Sequence, residues 1–110
     1  MTNNKRDQFK KQQQEMAAIG KILSHPARIA IIQLLAKKKE IKTGNISDSF
    51  PIGRTTVSRH LKELKHFGII KGTIDGLKIH YCLDMIRLAD IQKKYDEFFK
   101  STISSFFCEC

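Results

Sequence analysis

Long hydrophobic runs, cysteines and acidic residues are all scarce in this sequence. No apolar stretch approaches the ~18 residues that cross a bilayer, and residues 1–15 are polar, without the apolar segment of a signal peptide. The three cysteines are too few for a disulfide scaffold and would leave one unpaired, which agrees with a reducing compartment. We therefore expect a cytoplasmic protein with no membrane partner.

Signatures of catalysis are missing as well. The sequence contains no pairing of a nucleophile with a base and no Gly-rich phosphate loop, so nothing in it indicates an enzyme. Its 110 residues, of which 41% are hydrophobic, suit one folded domain with a modest core. We expect a single domain over residues 1–110.

Basic residues, in contrast, are abundant and unevenly distributed. Twenty Lys and Arg against 11 Asp and Glu give a net charge of +9. Residues 1–42 contain ten basic and three acidic residues, and residues 54–80 contain six basic and two acidic residues. Residues 85–110 are balanced, with four basic and four acidic residues. This excess predicts a polyanionic partner that meets one side of the molecule.

Hydrophobic periodicity predicts a mainly α fold with a β-hairpin. Helical spacing covers residues 9–23, 26–38, 43–49 and 54–67. Two runs with a period of two follow, joined through Asp75 and Gly76, a strong hairpin signal. Asp84 would then cap a fifth helix. The fourth helix follows a short one through a tight turn, as in a helix-turn-helix.

The fourth helix has an apolar stripe and a polar, basic face. Val57, Leu61 and Leu64 form the stripe, and Gly68 suits a left-handed helix end. An α-helix fits the DNA major groove, where Arg pairs with guanine and Ser or Thr with either kind of base. The predicted DNA contacts are Arg54, Thr55, Thr56, Ser58, Arg59, His60 and Lys62 on this helix, and Lys71, Lys78 and His80 on the hairpin. A solvated amphipathic surface helix is the alternative interpretation.

Two segments carry a family resemblance: "LSHPARIAIIQLL" and "TTVSRHLKELKHFGIIKGTIDGLKIHYCLD". Over about residues 16–106 the chain resembles the ArsR/SmtB family of winged helix-turn-helix transcriptional repressors. The resemblance implies a homodimer whose recognition helices enter successive major grooves of a palindromic DNA operator. The hairpin would be the wing, and the first and last helices, about residues 5–23 and 85–107, would form the dimer interface.

The last helix supports a dimer independently, because a chain of this size rarely needs so many aromatic residues at one end. Capping of the chain's own core is the alternative. The interface residues we expect are Phe9, Met16, Ile91, Tyr95, Phe98, Phe99, Ile103 and Phe106.

The sequence departs from the family in its metal-binding motifs. The helix before the recognition helix has no cysteine, and residues 85–110 have no histidine, so two metal sites known in the family are absent or doubtful. Cys108, Cys110 and Cys82 remain as thiolate ligands for a soft ion such as arsenite, Cd²⁺ or Zn²⁺. They are equally compatible with redox or persulfide sensing, or with no sensing role. No cofactor is required.

The cysteine positions also suggest a site shared between two chains. If the last helices cross antiparallel near Tyr95, Cys82 of one chain approaches Cys108 and Cys110 of the other. The resulting hypothesis is a repressor that leaves its operator when a thiol-reactive inducer binds. A winged-helix module that holds DNA or a protein without any ligand is the alternative.

Overall fold

The computed structural model describes residues 5–38 and 41–109. A short 3-10 helix, Lys5–Gln8, comes first. The other elements are α1 Lys11–Ile22, α2 Pro26–Lys38, β1 Ile41–Lys42, α3 Thr43–Asp48, α4 Arg54–Phe67, β2 Ile70–Asp75, β3 Lys78–Leu83 and α5 Met85–Glu109. The predicted mainly α fold with a β-hairpin is confirmed.

The core joins the inner faces of the helices to one face of the sheet. Its buried apolar residues are Ile19, Ile22, Ile31, Leu35, Ile46, Val57, Leu61, Leu64, Ile69, Ile70, Tyr81 and Ile91. Burying each large aliphatic side chain contributes roughly 1.5–3 kcal/mol. The stripe on α4 is fully buried, so this helix is held firmly against α2 and α3. Among the described residues, no helix has both the length and the apolar character to span a bilayer.

The ends of α4 and α5 have the expected local causes. Gly68 adopts a φ of 95°, and its N–H donates to the carbonyl oxygens of Leu64 and Lys65. A left-handed residue at this position closes a helix at little cost when it is glycine. Asp84 accepts a hydrogen bond of 3.0 Å from the Arg87 N–H and so caps α5.

The first helix begins two residues later than predicted. The Lys10 N–H donates to Oε1 of Gln13 at 3.1 Å, and the Gln14 side chain donates to the Phe9 carbonyl at 2.8 Å. These bonds hold the chain in a turn ahead of α1. Phe9 therefore lies outside the helix, with 59% of its surface exposed.

The sheet contains a third strand that the sequence analysis did not predict. The short strand β1 pairs antiparallel with β3, with Ile41 opposite Tyr81 and Lys42 opposite His80, and gives the strand order β1-β3-β2. A two-residue strand is too short to show a period, so only its pairing with β3 defines it.

The hairpin turn lies one residue later than the Asp-Gly signal suggested. Asp75 still pairs with Lys78, so the loop consists of Gly76 and Leu77. Gly76 has a φ of 63°, a value that glycine adopts without strain. Leu77 consequently occupies the tip of the hairpin.

Candidate nucleic-acid interface

The outer face of α4 is exposed where the sequence predicted contact with DNA. Thr55, Thr56, Ser58, Arg59 and Lys62 are all exposed, because the buried stripe holds the opposite side of the helix against the core. These side chains can reach a ligand without any rearrangement of the core.

The first turn of α4 is suited to a phosphate. Its N-cap residue is Gly53, which has no side chain that could cap the helix, and the first turn contains no acidic residue. The first N–H groups of a helix lack intrahelical partners and carry a partial positive charge that attracts anions. Arg54 stands beside them and lies 3.4 Å from Asp48, with both side chains mostly exposed. Such a pair is weak in water, so Arg54 can exchange Asp48 for a phosphate oxygen.

His60 differs from the other predicted contacts on this helix because it is half-buried and bonded to its own chain. Its Nδ1 accepts a hydrogen bond of 3.0 Å from Nε of the buried Arg28. Burial, followed by the charges of Arg28 and its neighbours, lowers the pKa of His60. The side chain therefore points toward α2, and its bond to Arg28 joins α4 to that helix.

Arg28 is a structural residue that the sequence analysis did not identify. Its side chain donates to the Ile22 carbonyl at 3.1 Å and forms an ion pair with Glu63 in addition to the bond with His60. One guanidinium thus joins the end of α1, the start of α2 and the middle of α4. The only sequence signal was a basic residue within the broad apolar surface of residues 26–35.

The hairpin carries two of the three predicted contacts on its surface. Lys71 and Lys78 are exposed. The His80 side chain is only 20% exposed, and its Nε2 lies 3.3 Å from a carboxylate oxygen of Asp75. His80 thus interacts within the hairpin, and its contact with DNA stays a prediction.

Lys65 is a basic residue of α4 whose side chain reaches the hairpin, and it was not among the predicted contacts. A Cβ atom added to Gly72 would lie 3.3 Å from the Lys65 Nζ and 3.1 Å from the Tyr81 ring. Glycine at position 72 therefore lets the hairpin pack close to α4. Lys65 lies one turn after Lys62, a spacing that could have suggested a continuous basic edge.

The second half of α5 leaves its apolar side chains uncovered. Every side chain from position 96 to position 107 is exposed. The large apolar residues among them are Phe98, Phe99, Ile103, Phe106 and Phe107, with exposed fractions from 46% to 71%. These five residues form what we term the α5 apolar surface.

The first half of α5 is instead attached to its own chain. Ile91, which we expected in the dimer interface, is a core residue with 7% exposure. The half-buried Tyr95 donates a hydrogen bond of 3.3 Å to the Met16 carbonyl. Lys94 bonds Glu15 at 2.9 Å, which lowers the pKa of Glu15. A groove of about 730 Å³ lies beside these contacts and is lined by residues that include Met16 and Phe98.

The predicted cysteine ligands are not assembled within the described part of one chain. Cys82 is half-buried on β3, opposite Lys71. The Cys108 side chain and the whole of Cys110 lie outside the described residues. Among the residues that are described, no three His, Cys, Asp or Glu side chains form a group that could hold a metal ion.

Known proteins share this domain. A family model described as a helix-turn-helix domain matches residues 23–73. The chain is 30% identical over 80 residues to a homolog of the cadmium resistance transcriptional regulatory protein CadC from Staphylococcus aureus, covering 73% of this chain and 66% of that protein. It is 33% identical over 75 residues to the transcriptional repressor SdpR of Bacillus subtilis, and the match covers 68% of this chain and 82% of that protein.

Solved structures show the same fold. A possible transcriptional regulator for arsenical resistance superposes with a TM-score of 0.68 at 27% identity, over 82% of this chain and 93% of the other. A second solved structure is a homodimeric winged helix-turn-helix DNA-binding domain from Mycobacterium bovis, a possible ArsR-family regulator. It superposes with a TM-score of 0.59 at 27% identity, over 88% of this chain and 89% of the other. Relatives by sequence and by structure therefore agree in being regulators of transcription.

Proposed function

The chain belongs to the ArsR/SmtB family of winged helix-turn-helix transcriptional repressors, and from this premise we propose that it acts as a homodimer on a palindromic operator and dissociates when a thiol-reactive inducer binds. The observation that carries the DNA-binding part is the division of α4 into a fully buried stripe and an exposed face of hydroxyl and basic side chains.

The proposed docking places α4 in the major groove and the hairpin, as the wing, beside it. Arg59 and Ser58 supply donors for base edges. The uncapped start of α4, together with Arg54, binds a phosphate, and Lys71 and Lys78 contact the backbone from the wing.

The α5 apolar surface supports the proposed homodimer. A contiguous exposed patch of large apolar side chains usually marks an interface. The groove between α1 and α5 gives a second chain a concave surface beside that patch. The Mycobacterium bovis relative is a homodimer, which also favours this assembly.

The proposed inducer contacts are Cys82, Cys108 and Cys110, whose thiolates bind soft ions well. Helix α5 is continuous from Met85 to Glu109, so at ~1.5 Å per residue its ends lie about 36 Å apart. Cys82 and Cys108 of one chain therefore cannot share an ion. The site consists either of the two C-terminal thiols or of these thiols with Cys82 of the partner chain.

A contact between α5 and α4 offers a route from the inducer to the DNA. The Arg87 guanidinium lies 4.9 Å from the centre of the Phe67 ring, and its Nε is 3.5 Å from the Phe67 carbonyl oxygen. The Asp84 N–H also donates to the Ile69 carbonyl at 2.8 Å. A shift of α5 would therefore be transmitted to the end of the recognition helix.

Selection from a random duplex pool tests the DNA-binding proposal. We expect a palindromic consensus and an affinity for it at least 10³-fold above that for random DNA. Strong, salt-sensitive but sequence-indifferent binding would indicate an architectural protein. Absence of DNA binding would favour a winged helix that holds a protein partner.

Release by inducer is tested on the selected operator. Arsenite, Cd²⁺, Zn²⁺, peroxide and polysulfide are titrated into the complex of the wild type, of Cys82→Ser and of Cys108→Ser/Cys110→Ser. A site shared across the dimer requires both variants to lose the response. Loss in the double variant alone restricts the site to the C-terminus, and an unchanged response in both excludes the cysteines as the sensor. A response to peroxide or polysulfide but not to metals would support redox or persulfide sensing.

A further inference from the structure

The tip of the hairpin exposes apolar side chains for which the fold has no use. Leu77 is fully exposed, at 105% of its reference area, and Ile74 is 75% exposed. The loop needs the positive φ of Gly76 but places no demand for an apolar residue at Leu77. Two-residue hairpin loops usually favour Gly, Asn or Asp. The leucine at this position is therefore free to contact a partner without any change in the fold.

The charges around Leu77 favour a negatively charged partner. Lys71 and Lys78 are exposed on the same hairpin, and the chain as a whole carries a charge of +9. The one acidic side chain near the tip, Asp75, is 3.3 Å from His80 and lies opposite Lys78. The hairpin thus combines exposed apolar side chains at its tip with exposed lysines along its strands. This combination complements a polyanion that has apolar surface between its charges. Duplex DNA has this character in its minor groove, where deoxyribose rings line the walls.

We propose that Leu77, with Ile74 behind it, enters the minor groove next to the major groove occupied by α4 and makes the protein prefer A·T pairs there. This inference rests on the proposed operator binding. It adds a specificity-determining residue that makes no hydrogen bond to a base.

The preference for A·T pairs follows from the chemistry of the groove floor. A G·C pair carries the guanine N2 amino group in the minor groove, whereas an A·T pair does not. A leucine pressed onto that amino group would strip its water and offer no acceptor in return. Narrow A·T-rich grooves also have a stronger negative potential, which favours the flanking lysines. Apolar side chains inserted into the minor groove are a known means of DNA recognition.

Inosine substitution tests this contact separately from the major groove. An I·C pair lacks the N2 amino group but presents the major-groove acceptors of G·C. Each A·T pair of the selected operator is replaced in turn by G·C and by I·C. Binding is then measured for the wild type, Leu77→Ser and the matched apolar control Leu77→Met.

For the wild type we expect one segment of each half-site where G·C weakens binding about tenfold, or about 1.4 kcal/mol, and where I·C restores it. Leu77→Met keeps this pattern and Leu77→Ser loses it. Leu77→Ser should melt at the temperature of the wild type, because Leu77 is not packed against the chain.

A Leu77→Ser protein that discriminates as the wild type does would overturn the inference, as would a wild type with no segment that distinguishes G·C from I·C. Either result leaves the proposed operator binding intact. Failure of the wild type to select any operator is a different result, which contradicts the proposed function itself.

Discussion

At the residue scale, exposure divides the side chains of α4 by role. Arg59 and Lys62 extend into solvent, whereas His60 between them turns inward to Arg28. Neighbours in the sequence thus have different tasks, because successive helical residues are rotated by about 100°. The basic residues of the wing differ in the same way, with Lys78 exposed and His80 engaged with Asp75.

Arg59→Ala should weaken binding to the selected operator by about 1–3 kcal/mol and relax the base preference at one position of each half-site. The reason is that Arg59 is exposed on the outer face of α4, near its start, where no core contact depends on it. Fluorescence anisotropy with labelled operator measures the change, and Lys93→Ala on α5 serves as the control. An unchanged affinity in a folded dimer would remove Arg59 from the interface.

Lys78→Ala should weaken binding by similar factors on all sequences and reduce the slope of log affinity against log salt by about one. A lysine that contacts a phosphate displaces counterions without reading a base. Lys78→Arg keeps the charge and should retain the slope. If the salt dependence of Lys78→Ala equals that of the wild type, the wing does not contact phosphate at this residue.

At the element scale, the position of the recognition helix depends on the cluster of Arg28, His60 and Glu63. The neutral His60 ring accepts a hydrogen bond from Arg28, whose guanidinium is also paired with Glu63. His25 lies beside His60, with 5.3 Å between ring centres. A protonated His60 could no longer accept from Arg28 and would repel its charge.

This cluster predicts a loss of stability in acid. Since the pKa of His60 is lowered on folding, the unfolded chain binds the proton more readily than the folded chain. The contribution of His60 is therefore complete above its unfolded pKa of about 6.5 and is lost as the pH falls from that value toward the lower folded pKa.

His60→Gln keeps an acceptor for Arg28 but cannot take up a proton in this range. We expect its melting temperature to fall less between pH 7.5 and pH 5.5, about one unit on either side of the ordinary histidine pKa, than that of the wild type. The control is His66→Gln, because His66 is exposed on the same helix. Parallel pH curves for the wild type and His60→Gln would contradict this account.

At the scale of the whole molecule, the exposed end of α5 is the longest apolar surface that the described part of a single chain leaves uncovered. The molecule measures 56 × 39 × 25 Å along its principal axes. Its core ends near Tyr95, and the apolar surface of α5 extends beyond the core over residues 96–107. A second copy that packs on this surface would also set the spacing between two recognition helices.

Phe98→Asp should convert the proposed dimer into a folded monomer. The side chain is 46% exposed in one chain, so a carboxylate is tolerated there, but in an apolar interface it would be buried without a partner. Sedimentation velocity measures the change, with Ser104→Asp as the control, since Ser104 is exposed on the polar side of α5. A folded Phe98→Asp protein that remains dimeric would place the interface elsewhere.

Local sequence signals accounted for the elements that carry the proposed DNA contacts. The stripe of Val57, Leu61 and Leu64 predicted the orientation of α4, Gly68 its end and Asp84 the start of α5. Each of these signals acts within about one or two helical turns, through side-chain periodicity or a backbone capping bond. For that reason they could be read from the chain without knowledge of its fold.

Tertiary structure alone decided the features that depend on distant partners. Strand β1 exists because β3 pairs with it, and His60 turns inward because Arg28, 32 residues earlier, is buried beside it. Ile91 and Phe98 have the same apolar character and lie two helical turns apart, yet the first is in the core and the second is exposed. The sequence by itself determined that α5 has an apolar face, but only the position where the core ends determined which part of that face is left for a partner.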